Sequence, residues 1–364
     1  MSQGPQSRDY HLLEQAWFEA EKAGWLSVAP NPRVGALALK DGHVIGRGFH
    51  TAFGEAHAEE MALRDADAWC LETQQPLAGI VDEMVVTLEP CSSNGPAKKR
   101  PACASLLKAA GVQKVLVGAV DPNPLHAGAG LEVLRSFEIK VRTLESFQIR
   151  FEESNPAFLR ALAHPDRPWV LLKWAASLDG KTASDSGSSQ WITGAAAREE
   201  VHQLRKCSCA VMAGAGTVKA DNPSLTARGK QGLYLRQPKR VVLGVEPVDL
   251  ASDASLLAEG GELLAYTTKA SGEREPLSEI LLDLKRNHGI ARLLVEGGAH
   301  LHGELLDAGL ADAVVVYEAP LLVGGHFGAC LGAGFPSPAE GVRLAQEERL
   351  QLGDDLRRAF LICD

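Results

Sequence analysis

The sequence predicts an α/β protein with two successive domains. Helix-like and strand-like segments alternate along most of the chain, which is the pattern of layered α/β folds. The 364 residues exceed the usual size of one domain and indicate about two. Residues 145–168 are charged and contain X-Pro pairs, as connectors often do. We therefore expect domains at residues 1–148 and 168–364, joined by residues 149–167.

The first half predicts a helix, a hairpin and then alternating elements. Residues 9–24 place apolar side chains along one helical face and end at Gly24, which indicates an amphipathic helix. The Asp41-Gly42 pair between two apolar runs predicts a β-hairpin. The remaining predicted elements are a helix over 55–69, a strand over 82–90, a helix over 102–110 and a strand from residue 113.

The second half begins with an apolar strand at Trp169 and repeats the alternation. Further strands are expected at 209–213, 240–245, 262–267, 292–296 and 312–318, with helices at 195–206, 277–287 and 299–308. Cys207 and Cys209 lie at a helix–strand join and are expected to be core thiols.

Composition excludes several function classes. The net charge of −9 argues against a duplex-binding surface, so nucleic acid is not an expected partner. No run of about 18 apolar residues occurs, so no membrane span is expected. The N-terminus lacks the basic start and apolar core of a signal peptide. Seven unevenly spread cysteines then indicate reduced thiols and a cytoplasmic protein.

His57, Glu59, Cys91 and Cys103 form the main chemical pattern of the first half. A catalytic zinc needs three protein ligands and one open position, and His57, Cys91 and Cys103 would be the ligands. Glu59 would stay unbound and transfer protons, as in the His-x-Glu and Pro-Cys-x-x-Cys signature of zinc deaminases. Eleven residues separate the two cysteines here, and a loop can bridge them because loop closure cost grows slowly with length.

Two alternatives to this metal site remain open. In the first, the three side chains are a surface histidine and two unrelated thiols. In the second, another donor replaces one of the three ligands. The candidates for that replacement are His11, His43, His50 and Cys70.

The second half contains no Gly-x-Gly-x-x-Gly sequence, so the usual dinucleotide fingerprint is absent. Glu296-Gly297-Gly298 instead follows an apolar strand and precedes a helix, where backbone N–H groups can bind phosphate. Residues 213–223 form a second glycine turn before a helix. The polar stretch 177–194 contains Trp191, which suits ring stacking or the anchoring of a loop.

Several first-half motifs resemble the deaminase half of the bifunctional riboflavin-biosynthesis family, RibD. They are "APNPRVGALAL", "GFHTAFGEAHAEEMAL", "VVTLEPCS" with the later Cys103, and "DPNP". The resemblance implies a cytidine-deaminase-like three-layer fold with Zn²⁺. It also implies a phosphoribosylated diaminopyrimidinone substrate whose ring amine is hydrolysed to a carbonyl. By position, it implies substrate contacts at Asn31, His50, Asp121 and Asn123.

The second half resembles the reductase half of the same family through "LLKWAASLDGKTA", "GSSQWITG", "GAGTVKADNPSLTAR", "LLVEGG" and "EAPLLVGG". This resemblance implies a dihydrofolate-reductase-like domain that reduces the ribosyl group with NADPH. It implies cofactor contacts at Ala175, Trp191, Thr217, Asp221, Gly298, Ala299, His300, Leu301, His302, Gly303 and Glu304. It implies substrate contacts at Ser189, Arg205, Leu225, Arg228 and Glu296. Lys173 and Asp179 are expected to assist proton transfer.

The chain departs from the family pattern after Cys91. Ser93 replaces the usual histidine, Asn94 follows, and Lys98, Lys99 and Arg100 either bind a phosphate or form a solvated loop. This loop keeps open an alternative in which the first half is a weak or inactive zinc scaffold beside a working reductase. A nucleic-acid or nucleoside deaminase with an appended binding domain is a third hypothesis. A homo-oligomer, dimer or tetramer, is expected.

Overall fold

The computed structural model describes residues 5–92, 101–245, 250, 254–267 and 274–363. The chain divides into two compact units, Met1–Ala163 and His164–Asp364. Both units combine helices with a central sheet, so the predicted α/β class is confirmed. In the described part of the chain, no helix is long and apolar enough to cross a membrane.

The first unit is built on a five-stranded sheet of order β2-β1-β5-β6-β7. Strand β1 runs antiparallel to β2 and β5, whereas β5, β6 and β7 are parallel. The elements are α1 (Pro5–Ala20), α2 (Trp25–Val28), β1 (Gly35–Lys40), β2 (His43–Phe49), α3 (Ala58–Asp65), β3 (Trp69–Cys70), β4 (Gln75–Pro76), β5 (Glu83–Leu88), α4 (Cys103–Ala109), β6 (Lys114–Ala119), α5 (Ala129–Ser136), β7 (Lys140–Thr143), α6 (Phe147–Ser154) and α7 (Pro156–Ala163).

The two faces of this sheet carry separate apolar cores. Successive strand residues point to opposite faces, so Leu37 and Leu39 pack with Leu13 of α1 on one side. Ala36 and Ala38 face the other side, where α3, α4 and α5 pack. The result is the three-layer arrangement that the sequence predicts for this half.

Helix α3 lies unusually close to the sheet because β2 carries two glycines. A Cβ placed on Gly48 would lie 2.3 Å from the Ala62 nitrogen and 2.4 Å from the Ala58 carbonyl oxygen. A Cβ on Gly46 would lie 2.4 Å from the Ala62 carbonyl oxygen. Real Cβ atoms do not approach so closely, so β2 admits only glycine at these positions. This contact sets the position of α3 against the sheet, and α3 begins directly after His57.

Residues 147–163, which are most of the predicted connector, form helices α6 and α7 within the first unit. Phe147 and Phe151 of α6 are buried, and Pro156 starts α7 at the position where a helix tolerates proline. The structure divides the chain between Ala163 and His164, and the boundaries at 148 and 168 stay a prediction. Helix α1 also ends at Ala20, before the predicted stop at Gly24.

The second unit has an eight-stranded sheet of order β13-β12-β9-β14-β8-β15-β17-β16. All neighbours from β13 to β15 are parallel, and the antiparallel hairpin β16–β17 extends the sheet beyond β15. The elements are β8 (Trp169–Ser177), α8 (Ala195–Lys206), β9 (Ala210–Gly214), α9 (Ala215–Asp221), β10 (Arg228–Gly229), β11 (Gly232–Leu233), β12 (Lys239–Leu243), β13 (Leu263–Tyr266), α10 (Leu277–Arg286), β14 (Arg292–Val295), α11 (Ala299–Asp307), β15 (Ala313–Ala319), β16 (Leu344–Leu352) and β17 (Asp355–Ile362).

The predicted strands and helices of the second half all occur, with shifts of one or two residues at their ends. The sequence analysis missed the hairpin β16–β17. Strand β16 is an exposed edge strand whose residues are mostly polar, so it lacks the apolar pattern that marks a buried strand.

We predict that Gly48→Ala destabilises the first unit by about 2 kcal/mol, because the added methyl forces α3 away from β2. Thermal denaturation should show the transition of that unit lowered by about 5 °C. The control is Gly328→Ala, since a Cβ there meets no atom within 4 Å in the described structure. Equal melting temperatures for Gly48→Ala and the wild type would contradict this account of the α3 packing.

Candidate metal centre and glycine-turn site

Three elements of the first unit bring His57, Cys91 and Cys103 together. His57 immediately precedes α3, Cys91 follows the end of β5, and Cys103 is the first residue of α4. The His57 Nδ1 atom lies 3.2 Å from the Cys103 sulfur and 3.8 Å from the Cys91 sulfur. The three donor atoms all lie within 4.8 Å of one another. In the described residues they are the only such group of histidine, cysteine and acidic side chains.

The chemistry of these donors fits zinc. One imidazole nitrogen and two sulfurs are ligands that Zn²⁺ prefers, and three of them leave a fourth tetrahedral position open. A hydrogen bond with Cys103 lowers the pKa of the Cys91 thiol, and the same contact raises the pKa of Cys103. Cys91 is therefore the sulfur that more readily becomes a thiolate, which is the form that binds a metal cation. The Cys103 backbone N–H also donates to the Cys91 sulfur at 3.3 Å, which favours a thiolate there.

Glu59 lies in the first turn of α3, beside the donors but outside the group of three. Its side chain is buried and interacts with the Cys103 thiol. Burial raises the pKa of Glu59, and the neighbouring His57 partly opposes that rise. A buried carboxyl group with a raised pKa suits the exchange of protons with a nearby water molecule.

The alternative third ligands lie outside this group. His11, His43 and Cys70 are on other parts of the unit. His50 lies beside the centre, with its ring centroid 5.4 Å from that of His57. Its Nδ1 atom contacts the Ala56 carbonyl oxygen at 3.0 Å, and its Nε2 atom contacts the Asn31 amide nitrogen at 3.2 Å. This pattern assigns the proton to Nδ1 and leaves Nε2 as an acceptor.

The predicted substrate residues of this unit form two pairs. Asn31 and His50 are in direct contact, as described above. Asp121 and Asn123 lie in the loop after β6, where Asp121 accepts a hydrogen bond from the Asn123 backbone. Strands β5 and β6 are parallel neighbours, so the Cys91 segment and this loop leave the sheet at the same edge. Ser93, Asn94, Lys98, Lys99 and Arg100 lie outside the described residues.

In the second unit, the two predicted glycine turns lie on adjacent parallel strands. Strand β9 leads into α9 at Gly214, and β14 leads towards α11, which begins after Gly298. A Cβ placed on Gly298 would lie 3.4 Å from the Thr217 hydroxyl oxygen. The sheet therefore brings Thr217 and the Glu296-Gly297-Gly298 turn together.

Glu296 joins two cations at this turn. Its carboxylate accepts hydrogen bonds from Arg205 Nε at 2.5 Å and Arg205 Nη2 at 2.9 Å, and Lys173 Nζ lies 3.4 Å away. Arg205 Nη1 donates to the Thr226 carbonyl oxygen. Burial would raise the pKa of Glu296, but Arg205 and Lys173 together overcome it and hold that pKa at about 2. Arg205 is thus engaged with protein groups, whereas Arg228 is exposed and has no hydrogen-bond or ion-pair partner in the described structure.

The other predicted contacts fall into exposed and buried groups. Ser189 donates to the Asp221 carboxylate at 3.0 Å, and the exposed Trp191 ring lies 4.5 Å from the Arg198 guanidinium. Ala175 lies on β8, and Leu225 is buried with a φ of +54°. At α11, Ala299 and His300 remain accessible at the helix start, whereas Leu301, His302 and Gly303 are buried. Glu304 forms an ion pair with Arg274.

Asp179 has surroundings that differ from the predicted proton-transfer role. The Ser177 hydroxyl donates to its Oδ1 at 2.6 Å, and the backbone N–H groups of Val323 and Gly324 donate to its two oxygens. These bonds lower the pKa of Asp179 to about 2, so the group stays ionised near neutral pH. They join the turn after β8 to the loop that contains Val323 and Gly324. The proton-transfer role of Asp179 stays a prediction. The sequence predicts that Cys207 and Cys209 are core thiols. Both are partly buried, and Cys209 packs against the apolar core of the second unit.

Comparisons with known proteins match both halves of the chain. Residues 6–119 match the cytidine and deoxycytidylate deaminase zinc-binding region, and residues 168–357 match the RibD C-terminal domain. The riboflavin biosynthesis protein RibD of Bacillus amyloliquefaciens is 37% identical over 362 residues, which cover 93% of each chain. The RibD protein of Escherichia coli K12 is 36% identical and covers 96% of this chain and 98% of its own.

The chain belongs to the RibD family. The structure of Acinetobacter baumannii RibD, form 1, agrees at a TM-score of 0.71 and 35% identity, with 98% of this chain and 99% of that chain covered. A Thermotoga maritima structure described as a diaminohydroxyphosphoribosylaminopyrimidine deaminase and 5-amino-6-(5-phosphoribosylamino)uracil reductase agrees at a TM-score of 0.67 and 32% identity, over 98% of this chain and 99% of that chain. The resemblance inferred from the sequence motifs is confirmed.

We predict that the protein as purified holds about one zinc per chain, and that Cys103→Ser lowers this to under about 0.1. The loss follows because serine replaces a thiolate in a three-ligand site. Cys70→Ser is the matched control and should keep the wild-type zinc content, measured by inductively coupled plasma mass spectrometry. Loss of zinc in Cys70→Ser with retention in Cys103→Ser would contradict the assignment of the ligands.

We predict that Glu296 stabilises the second unit in a pH-dependent way. Its pKa is about 2 in the folded protein and ordinarily 4.5, which corresponds to about 3 kcal/mol. Because the folded pKa is depressed, this stabilisation is complete above pH 4.5 and is lost as the pH falls towards 2. Urea denaturation should show Glu296→Gln to be less stable than the wild type at pH 7, with a smaller difference at pH 3.

The control for this measurement is Glu262→Gln. It removes an exposed ion pair with Lys239 and should cost under about 1 kcal/mol at pH 7. A destabilisation by Glu296→Gln that is the same at pH 7 and pH 3 would show that the ionised carboxylate is not its source.

Proposed function

We propose that this chain is a bifunctional enzyme of riboflavin biosynthesis. The first unit deaminates a phosphoribosylated diaminopyrimidinone by hydrolysis, and the second reduces the ribosyl group of the product to a ribityl chain with NADPH. The observation that carries the first activity is the group of His57, Cys91 and Cys103 with the buried Glu59 beside it. The second activity is supported by the RibD C-terminal domain match and by the ion group around Glu296.

In the deaminase unit, His57, Cys91 and Cys103 would hold a zinc ion, and that ion would supply a water molecule of lowered pKa. The Glu59 carboxylate would accept a proton from the attacking water and pass it to the departing amine, which leaves as ammonia. Asn31, His50, Asp121 and Asn123 bind the pyrimidine or its ribose. Glu59 and His50 are both buried, which strengthens electrostatic contacts at these two side chains.

In the reductase unit, NADPH supplies the hydride, and the protein must place its nicotinamide against the first carbon of the sugar. Thr217, Asp221, Trp191, Ala175 and the start of α11 would hold the cofactor. The exposed Arg228 would bind the sugar phosphate. Arg205 fixes the Glu296 carboxylate through two hydrogen bonds, and Lys173 also contacts this carboxylate. The three charged groups would therefore keep fixed positions beside the bound sugar.

The proposal also predicts the binding partner, the cellular location and the oligomeric state. The partner is a small phosphoribosyl pyrimidine, and neither nucleic acid nor a membrane is required. We further infer a cytoplasmic enzyme that forms a dimer or tetramer, which light scattering after size-exclusion chromatography tests. The inactive-scaffold alternative and the nucleic-acid deaminase hypothesis are both tested by the assay that follows.

We predict that Glu59→Gln abolishes ammonia release from the phosphoribosylated diaminopyrimidinone, by at least about a thousandfold, because glutamine cannot carry the proton. NADPH oxidation with the deaminated intermediate should stay within about twofold of the wild type. Glu60→Gln is the matched control, since Glu60 is the next residue, is equally buried and pairs with Arg64. It should keep both activities.

Two results would contradict the proposed function. If the zinc-loaded wild type releases no ammonia but oxidises NADPH, the first unit is a scaffold and the enzyme has one activity. If the wild type deaminates cytidine or tRNA and leaves the phosphoribosyl pyrimidine unchanged, the substrate assignment is wrong.

A further inference from the structure

Glu89 is a buried acid that neither the zinc ligands nor the proton transfer by Glu59 explains. It follows β5 directly and lies two residues before Cys91. Only 7% of its surface is exposed, and no cation pairs with it in the described structure. A buried carboxylate without a cation is costly unless hydrogen bonds compensate for the lost hydration. The partners of its hydrogen bonds therefore indicate the role of Glu89.

The hydrogen bonds of its Oε1 atom lead to the loop between β6 and α5, residues 120–128, which we name the pyrimidine loop, while Oε2 has no hydrogen-bond partner in the described structure. Glu89 Oε1 accepts from the Gly128 backbone N–H at 2.9 Å and from the Asp121 backbone N–H at 3.2 Å. The two donors lie near opposite ends of the loop, so one carboxylate oxygen closes it. Inside the loop, Asp121 and Asn123 are predicted substrate contacts, and the Asn123 backbone donates to the Asp121 side chain.

The main chain beside Glu89 packs against the end of the same loop. A Cβ placed on Gly130, at the start of α5, would lie 2.1 Å from the Pro90 carbonyl oxygen and 3.5 Å from Glu89 Oε2. The Glu89-Pro90 segment is therefore in direct contact with α5, and Cys91 follows it without an intervening residue. A shift of the pyrimidine loop has to move Glu89 or break its bonds.

Glu83, at the other end of β5, is a buried acid whose partners are cations. It is equally buried, but Arg142 pairs with it at 2.6 Å and Arg8 at 3.4 Å. Its burial is explained by those cations, and it contacts no predicted substrate residue. Glu83 and Glu89 thus lie at the two ends of one strand with different partners.

We propose that Glu89 is a positioning residue for deamination, which fixes the pyrimidine loop relative to the zinc ligand Cys91. This inference rests on the proposed deaminase function. The metal and the substrate contacts Asp121 and Asn123 must hold one substrate at a set separation, and a misplacement of about 1 Å is enough to weaken productive binding. Glu89 sets that separation by holding the loop with its side chain while its main chain continues into the metal ligand.

The test compares Glu89→Ala, Glu89→Asp and Glu89→Gln with the wild type in the zinc-loaded full-length protein. The readouts are zinc content, KM and kcat for ammonia release, and hydrogen exchange of the backbone amides of residues 120–128. Glu89→Ala should raise KM about tenfold and speed exchange in the pyrimidine loop, with zinc retained. Glu89→Asp, whose carboxylate is one methylene shorter, should give a smaller change in the same direction. Glu89→Gln should stay within about twofold of wild type because its amide oxygen still accepts both bonds.

Glu83→Ala is the matched control and should lower the melting temperature without changing KM or exchange in the pyrimidine loop. The proposal is overturned if Glu89→Ala leaves KM and loop exchange unchanged, or if it loses zinc as Cys103→Ser does. If the wild type releases no ammonia, the proposed deaminase function fails. Hydrogen exchange and zinc content then decide by themselves whether Glu89 fixes the loop.

Discussion

The first site depends on the close approach of helix α3 to strand β2, which Gly46 and Gly48 make possible. Because α3 packs directly against the backbone of β2, the distance between its first turn and the sheet is fixed. This distance places His57 beside the thiols of Cys91, which follows β5, and Cys103, which begins α4. A metal centre assembled from three separate elements needs such rigid packing, since ligand distances must hold within a few tenths of an ångström.

The two units use buried charge in different ways. At the metal centre, one imidazole and two sulfur atoms surround one buried carboxyl group, Glu59, whose pKa burial raises. At the glycine turn, Arg205 and Lys173 hold the buried Glu296 ionised. The first arrangement suits a group that must gain and lose a proton. The second suits a group whose charge must stay constant while a hydride is transferred nearby.

Much of the fold could be predicted from local patterns. The hairpin around Asp41-Gly42 and the strand–glycine–helix turns follow from turn chemistry and apolar periodicity, and the structure contains them. The predicted connector contains two helices, because Pro156 starts a helix and the buried Phe147 and Phe151 bind α6 to the first core. An X-Pro pair alone does not distinguish a linker from a helix start. The edge strand β16 lacks an apolar pattern, so only its pairing with β17 defines it.

By itself, the sequence determined the family and the two-part organisation and predicted the metal donors, because these depend on residue types in a fixed order. Only the tertiary structure decided which donors converge and which predicted contacts are already engaged. Arg205 is bound to Glu296, Glu304 to Arg274, and Asp179 to the backbone of Val323 and Gly324. Such partners lie far apart along the chain and meet through the packing of the sheet and helices, which short-range patterns do not encode.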